Sequence, residues 1–283
     1  MALCTVHGDL EEANESLARL LGRTIDDLLS HSLFDVTHEE DLRVAHNAWA
    51  KMRRSGAYLT RQAVRFRHAD GSIVHVVLSA SRVDDRDGSI RHLVVHVEDV
   101  THRVALETAL QHQALHDPLT GLPNRTLFVR RLTDVSTRRR STDARVGVLF
   151  VDLDRFKAIN DNYGHVVGDA VLVAVAARLG ALLRPGDTVA RFGGDEFVLL
   201  CQNVGLVEAT RIAERIAVAI EEEVTVGGLR LPVTASIGIA VRGQDDDPPE
   251  WLIREADMAM YRAKAEGRAR IEAFPLADGT RPG

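Results

Sequence analysis

Cysteine is almost missing from this 283-residue chain, which has two, Cys4 and Cys201. They stand far apart in apolar, strand-like contexts, which argues against a disulfide framework and for buried thiols without chemical work in a reducing compartment. Long hydrophobic runs are missing too. The longest, Ala170–Ala177, falls far short of the roughly 20 residues a membrane span needs, so no membrane span is expected. The N-terminus lacks the basic start, apolar stretch and small-residue cleavage site of a secretory signal, and the cytoplasm is the default location. Positive charge is not in excess either. A formal net charge of −6 lacks the basic footprint of phosphate-backbone binding, so no nucleic acid is expected as a partner, while a nucleotide carrying its own magnesium stays open. What is present is ordinary: 45% hydrophobic and 27% charged residues, in a length that suits two domains.

The first hundred residues read as a short strand, short helices and three longer strands. Ala2–Val6 is a strand candidate turned by His7-Gly8-Asp9, and a helix with Leu17, Leu20 and Leu21 on one stripe follows. Strands are expected at Thr60–Arg67, Ser72–Val83 and Ile90–Val100, separated by Asp70-Gly71 and Asp87-Gly88, hairpin pairs because both residue types tolerate positive φ. With ANESLARLLG at Ala13–Gly22, HEEDL at His38–Leu42, FRHADGSIVHV at Phe66–Val76 and VVHVEDVTHR at Val94–Arg103, residues 1–100 resemble a PAS sensor domain. Its ligand is unknown at this point: His31, His38, His46, His75 and His96 read as surface or hydrogen-bonded histidines rather than haem ligands, and neither cysteine stands in a flavin-adduct motif.

Thr101–Leu115 carries Leu106, Ala109, Leu110 and Ala114 at helical spacing and starts at a Thr suited to cap the first turn. It reads as a linker helix over 101–115, either packed on its own domain or paired with a second copy; under two heptads do not decide between them. From His116 strands and helices alternate. Val146–Val151 has the apolar run of a strand buried on both faces, Asp169–Leu183 is helical, and Arg184-Pro185-Gly186 stops that helix. A strand to Phe192, a Gly193-Gly194 turn and a return strand through Cys201 form a hairpin. A helix at Leu206–Glu222, a strand at Val233–Ala240, a helix at Pro249–Ala265 and a strand near Arg270–Phe274 complete the series. A hairpin inside a βα-alternating unit points to an α+β, palm-like sheet over 116–274. Residues 275–283 read as a flexible tail, and Arg138–Arg140 as a solvated loop.

Gly193-Gly194 leaves bare backbone at a hairpin tip, where a flat base or phosphate can approach; the dipeptide alone also fits an ordinary hairpin. Asp152 ends a buried apolar strand, an unusual place for a solubility residue. Asp152, Asp195 and Glu196 near a triphosphate would repel it by about 4 kcal/mol per close like-charge pair at an effective dielectric near 20, so a divalent cation has to intervene. Magnesium suits that oxygen donor set.

RFGGDEF at Arg191–Phe197 stands with DPLTGLPNR at Asp117–Arg125, FVDLDRFKAINDNYGHVVGD at Phe150–Asp169, RPGD at Arg184–Asp187, ASIGIA at Ala235–Ala240 and ADMAMYRAKAEGR at Ala256–Arg268. In this order the blocks resemble the GGDEF domain of diguanylate cyclases, with its nucleotide-cyclase, ferredoxin-like palm. The resemblance implies condensation of two GTP into cyclic di-GMP and pyrophosphate with Mg2+ (or Mn2+). It implies metal ligation by Asp152, Asp195, Glu196 and the Leu153 carbonyl, phosphate stabilisation by Lys157, and catalysis involving Asp195, Lys157 and Glu196. Asn160 and Asp169 would hold guanine, whose edge both can pair, with His165, Gly193 and Gly194 beside the nucleotide. Lys264 and Arg268, one helical turn apart, would meet the triphosphate, although a basic helix end complementing the dipole has the same spacing. Asn160–Asn162 alone read equally as a polar turn. Arg184 and Asp187 occupy the family's inhibitory product site, while RPGD alone also fits helix-terminating turn chemistry. A two-fold product from one GTP per domain implies a homodimer. The alternative is a non-catalytic receptor of GTP or cyclic di-GMP, against which the full set of signature residues speaks.

Overall fold

The structure, a computed structural model, describes residues 1–55, 59–87, 89–138, 145–242 and 248–275. Gly88 of the expected Asp87-Gly88 turn, Arg139–Arg140 of the expected basic loop and 276–283 of the expected tail lie outside the described residues. The chain divides into two compact units, Met1–Leu110 and Gln111 onward.

In the first unit β1 (Ala2–Cys4), β2 (Leu10–Ala13), β3 (Leu59–Arg67), β4 (Ile73–Asp84) and β5 (Ile90–Asp99) form an antiparallel sheet in the order β2-β1-β5-β4-β3. Its core joins Phe66, Val76, Leu78 and Val95 of the sheet to Leu17 and Leu21 of α1 (Glu15–Leu21), Leu28 of α2 (Ile25–Leu29) and Trp49 and Met52 of α3 (Leu42–Ser55). Asn14 and Thr24 start the two short helices by accepting from the Leu17 and Asp27 amides, the usual way to satisfy orphan first-turn donors. The strand β2 stands where sequence alone predicts a turn running straight into a helix: Leu10–Ala13 pairs with β1, and the helix starts only at Glu15. Three of the singled-out histidines are engaged locally. His31 Nδ1 lies 2.7 Å from the Asp27 carbonyl, His38 accepts from the Glu40 amide and His46 meets Phe34 edge-on at 4.0 Å.

Helix α4 (Thr101–Leu115) has the expected bounds but a different start. The Thr101 hydroxyl accepts from the His75 amide at 2.9 Å instead of capping its own turn, because the chain leaves β5 beside β4, where Val100 also bonds His75. Leu106 and Leu110 are exposed.

The second unit runs α5 (Arg125–Arg138), β6 (Val146–Leu153), α6 (Phe156–Tyr163), α7 (His165–Ala181), β7 (Thr188–Gly193), β8 (Glu196–Gln202), α8 (Leu206–Glu221), a small hairpin β9 (Val224–Val226) and β10 (Leu229–Leu231), β11 (Ala235–Arg242), α9 (Glu250–Ala265) and β12 (Ile271–Ala273). The sheet order is β12-β11-β6-β8-β7, with β6 antiparallel to both neighbours and β12 parallel to β11. This is the expected α+β palm-like sheet. Every residue of β6 is buried: Leu149, Val151 and Leu153 face the core with α7 and α8, while Val146, Val148 and Phe150 face the core with α5 and α9. A strand sandwiched between two helix layers has no polar face, which is why its sequence is a run rather than an alternation. Asn160–Asn162 lie in the last turns of α6 rather than in a turn, and Arg138 closes α5.

Candidate active site

The alternation along β6 decides where the chemistry sits. Asp152 follows Val148 and Phe150 on the α9 side and is 5% exposed. Its register partner on β8 is Glu196, so two carboxylates meet at the end of two central strands. The turn is shifted by one residue from the expected Gly193-Gly194. Gly193 pairs with Glu196, leaving Gly194 and Asp195 as the turn residues, because a bulge between Arg191 and Gly193 uses up one position. Asp195 therefore sits in the turn, where its carbonyl accepts from the Leu153 amide at 3.2 Å. Gly193 and Gly194 have φ of 153° and 51°, and nothing lies within 4 Å of where a Cβ would be. The turn is open above its backbone.

The electrostatics are those of crowded acids. Burial, and then the Asp195 charge, push the Asp152 carboxyl up, against the pull of Lys264. Burial pushes Glu196 up as well, reinforced by Asp152, Asp257 and Asp195. Lys264 Nζ donates to Asp152 Oδ2 at 2.5 Å. That contact depends on a glycine. A Cβ on Gly238 of β11 would come within 2.0 Å of the Ala256 carbonyl and 2.2 Å of the Met260 nitrogen, so only glycine lets α9 lie directly on the sheet and carry Lys264 to the strand end.

Asn160 on α6 and Asp169 on α7 flank Gly168, where a Cβ would fall 1.8 Å from Asn160 Oδ1. That oxygen is buried and has no protein partner. A buried acceptor without a donor is costly, and a guanine edge supplies donors. Lys157 on α6 and His165 at the start of α7 are exposed. Arg268 is not one helical turn from Lys264 on the same helix as expected: α9 ends at Ala265, and Arg268 follows Gly267 in a left-handed turn with φ of 65°. Arg184 and Asp187 share the turn after α7. Arg184 pairs with Glu208 at 2.9 Å and Asp187 accepts from the Gln202 amide at 3.0 Å.

Among the described residues no group of three or more His, Cys, Asp or Glu side chains is arranged to hold a metal by itself. The expected ligands Asp152, Leu153, Asp195 and Glu196 are thus brought to one strand end without forming a closed cage. The donor set still fits magnesium, which usually takes one or two carboxylates and completes its shell with water and substrate phosphates.

Sequence reasoning gave no role to Asp117, Arg191 and Asp154. Arg191 donates to Asp117 Oδ1 at 2.9 Å and to the Gly194 carbonyl at 3.0 and 2.7 Å, which braces the turn from below. Burial opposes ionisation of Asp117, but hydrogen bonds from Thr120 and Arg191 outweigh it and hold the carboxyl below its ordinary range. All three residues lie inside the motif blocks; the signal was a charged residue beside a glycine turn or a buried strand.

A family model described as "Diguanylate cyclase, GGDEF domain" matches residues 114–270, and one described as "PAS domain" matches residues 1–102. The chain belongs to the GGDEF diguanylate cyclase family. Diguanylate cyclase TpbB of Pseudomonas aeruginosa is 44% identical over 172 residues, 60% of this chain and 40% of the relative. Diguanylate cyclase DgcM of Escherichia coli is 40% identical over 203 residues, 72% of this chain and 48% of the relative. The chain thus spans less than half the length of these curated relatives. Among solved structures, the GGDEF domain of TpbB superposes with a TM-score of 0.55 at 40% identity, over 57% of this chain and 95% of that one. The coiled coil and GGDEF domain of DgcB from Caulobacter crescentus, solved in complex with c-di-GMP, gives 0.56 at 28% identity over 61% of this chain and 91% of that one.

Proposed function

We propose that this GGDEF protein is a diguanylate cyclase that condenses two GTP into cyclic di-GMP and two pyrophosphates. The observation that carries the reading is the strand end where Asp152 and Glu196 meet in register beneath the open Gly194-Asp195 turn. In each condensation the 3′-hydroxyl of one GTP attacks the α-phosphorus of the other, a phosphodiester forms, pyrophosphate leaves, and the hydroxyl proton passes to a base. Bound magnesium or manganese, held by Asp152, Asp195, Glu196 and the Leu153 carbonyl, supplies charge neutralisation and raises hydroxyl acidity. Asp195, in the turn, is the candidate acceptor of that proton. Asn160 and Asp169 hold guanine, with the unpaired Asn160 Oδ1 accepting from the base; His165 lines the mouth. Lys157, Lys264 and Arg268 bring positive charge to the phosphates, and Gly193 and Gly194 let them approach the backbone. Alignment of the two substrates is the main contribution of the protein.

The two-fold product asks for two facing domains, and the exposed Leu106 and Leu110 of α4 offer a stripe for pairing of the linker helices in a homodimer. Residues 1–100 then act as the PAS sensor, 101–115 as the linker and 116–274 as the cyclase. Arg184 and Asp187 form the inhibitory product site, and GTP chemistry of this kind belongs in the cytoplasm. Among the described residues no helix is long and apolar enough to cross a membrane. Incubation with GTP and magnesium, followed by mass identification of the nucleotide product, tests the reading. Cyclic di-GMP is expected; unchanged GTP refutes it.

A further inference from the structure

Asp154 has no part in the chemistry above, yet it is buried, at 8% exposure, two residues beyond Asp152. An isolated buried carboxylate is expensive and is retained only where hydrogen bonds satisfy it. Asp154 is well satisfied. Its Oδ1 accepts from the Ser236 hydroxyl at 2.7 Å, and its Oδ2 accepts from the Thr234 hydroxyl at 2.8 Å and from the Ala269 amide at 3.0 Å. Its own amide donates to the Thr234 carbonyl at 2.8 Å. One side chain thus joins the end of β6, the start of β11 and the turn that follows α9.

That turn is unusual. Gly267, Arg268 and Ala269 have φ of 124°, 65° and 47° in succession, and the last two are residues that L side chains make costly in the left-handed region. Such a conformation persists only where its surroundings fix it. The Arg268 amide donates to the Ala263 carbonyl at 3.1 Å, closing the helix end, and the Arg270 carbonyl accepts from the Ile237 amide at 2.9 Å. Between these two backbone bonds, the Ala269 amide is held by the Asp154 carboxylate. The strain is shared by Ala269 and Arg268, the cation assigned to the triphosphate.

We propose that Asp154 is a positioning residue for nucleotide binding: by holding the Ala269 amide it fixes the left-handed turn that aims Arg268 at the substrate phosphates. The inference rests on the nucleotide reading above. It separates the two aspartates of the Asp152-Leu153-Asp154 stretch into one that faces the metal and one that orients a distant cation.

The test measures binding of two probes to the full chain with magnesium by titration calorimetry: the unreactive α,β-methylene analogue of GTP, and guanosine. Asp154→Ala and Arg268→Ala are each expected to weaken the analogue about tenfold, in the range of lost outer-shell partners. The double variant is expected to be no weaker than the worse single one, because both substitutions remove the same contact. Guanosine affinity is expected to stay within about twofold, the scatter between independent sites. Losses that add, or a loss of guanosine affinity equal to that of the analogue, overturn the positioning role. Should Asp154→Ala fail to fold, Asp154→Asn keeps the size and one acceptor. It is expected to lose part of the analogue affinity in the native chain and none in the Arg268→Ala background, and an equal loss in both backgrounds overturns the role. A native chain that binds no analogue refutes the nucleotide reading and takes this inference with it, whereas an Arg268→Ala variant that binds it undiminished refutes the phosphate contact of Arg268 and the positioning role alone. A loss on Arg268→Ala without one on Asp154→Ala refutes the positioning role alone.

Discussion

The two five-stranded sheets treat charge in opposite ways. Among the described residues the first unit buries one polar side chain, Thr37, whose hydroxyl donates to the Leu33 carbonyl; the second buries Asp152, Asp154, Thr188 and Ser236. The carboxylates of the first unit stay at its edge. Asp41 takes two guanidinium bonds and a backbone amide from Arg65, a pair that fastens the chain before α3 to β3. In the second unit Asp152 is buried and Glu196 partly buried, with Lys264 as the nearby cation. Desolvating like charges together costs several kcal/mol, so the first arrangement serves folding and the second works against it. On the proposed function, a site that folding alone would remove is held for a ligand.

The largest effect that would break this contrast is expected at Asp195. Asp195→Asn keeps the shape of the turn and removes one charge from the crowded acids. Turnover is expected to fall by at least about 10²-fold, the scale of losing one electrostatic group at a reacting centre, with the melting temperature unchanged or slightly raised. Steady-state pyrophosphate release alongside a thermal melt checks both. Near-normal turnover would return Asp195 to the class of surface carboxylates.

Next in size is the backbone contact that carries Lys264. Gly238→Val places a side chain where α9 main-chain atoms lie at 2.0 and 2.2 Å. Overpacking against backbone costs about 1–3 kcal/mol or more, a fall of roughly 2–4 °C per kcal/mol for a domain of 150–250 residues. Activity is expected to drop further than stability explains, since α9 must move away from Asp152. A melt within about 1 °C of the native one, well inside that scale, would show that α9 is free to shift.

How much of this was legible in the sequence follows from the kind of signal each feature leaves. β6 was readable because burial on both faces writes an uninterrupted apolar run, and α7, α8 and α9 because their apolar residues recur at helical spacing, whereas the polar Asn160–Asn162 stretch hid α6. The strand β2 was not, since Leu-Glu-Glu-Ala pairs at a sheet edge with two exposed glutamates and resembles the first turn of a helix. Asp152, the proposed metal ligand, was legible as a buried strand-end carboxylate from its place at the end of that run. Asp154 was not: its partners Thr234, Ser236 and Ala269 are far along the chain, and only the antiparallel pairing of β6 with β11 brings them within reach. Gly238 stands within a motif block that carries no local sign of its role, because close approach of a helix backbone leaves no local pattern. Lys264 and Arg268 had helical spacing in the sequence, yet the Glu266-Gly267 stretch ends α9 before Arg268.

A smaller effect is expected in the first unit, at Asp41. The Arg65 hydrogen bonds, opposed by partial burial, hold its carboxyl down to about 2. A carboxyl whose pKa is lower folded than unfolded contributes stability that is present above the unfolded value near 3.9 and lost as pH falls toward about 2. Asp41→Asn is therefore expected to lower the melting point of this unit by a few degrees at pH 7, with about 1 kcal/mol for a partly exposed pair, and to make less difference at pH 3. Trp49 is buried in the first unit and Trp251 belongs to α9, so fluorescence melts in a Trp251→Phe background report the first unit alone. An equal deficit at both pH values would show that Asp41 acts through packing rather than charge.

The smallest effect on stability and basal turnover is expected at Arg184, and it sharpens the contrast most. Its pair with Glu208 is exposed, with the two side chains 59% and 32% accessible. Exposed pairs of this kind contribute about 0–1 kcal/mol, so by the logic of the first unit Arg184→Ala should be nearly silent in a melt. It should also be silent in initial turnover, because Arg184 lies in the turn after α7 and not at the strand end that carries Asp152 and Glu196. Asp187 keeps the turn itself in place through the Gln202 amide. If the guanidinium serves to bind product, its loss is expected to appear only as cyclic di-GMP accumulates. A ligand shifts an equilibrium by its differential affinity for the two states, and a coupling of about 1–3 kcal/mol corresponds to roughly 5–150-fold suppression. Progress curves of the native chain and of Arg184→Ala, with pyrophosphate removed enzymatically and with or without added cyclic di-GMP, separate the possibilities. Slowing of the native chain alone supports the product site. Equal slowing of both makes Arg184 a turn residue whose charge does no more than that of any surface pair in the first unit.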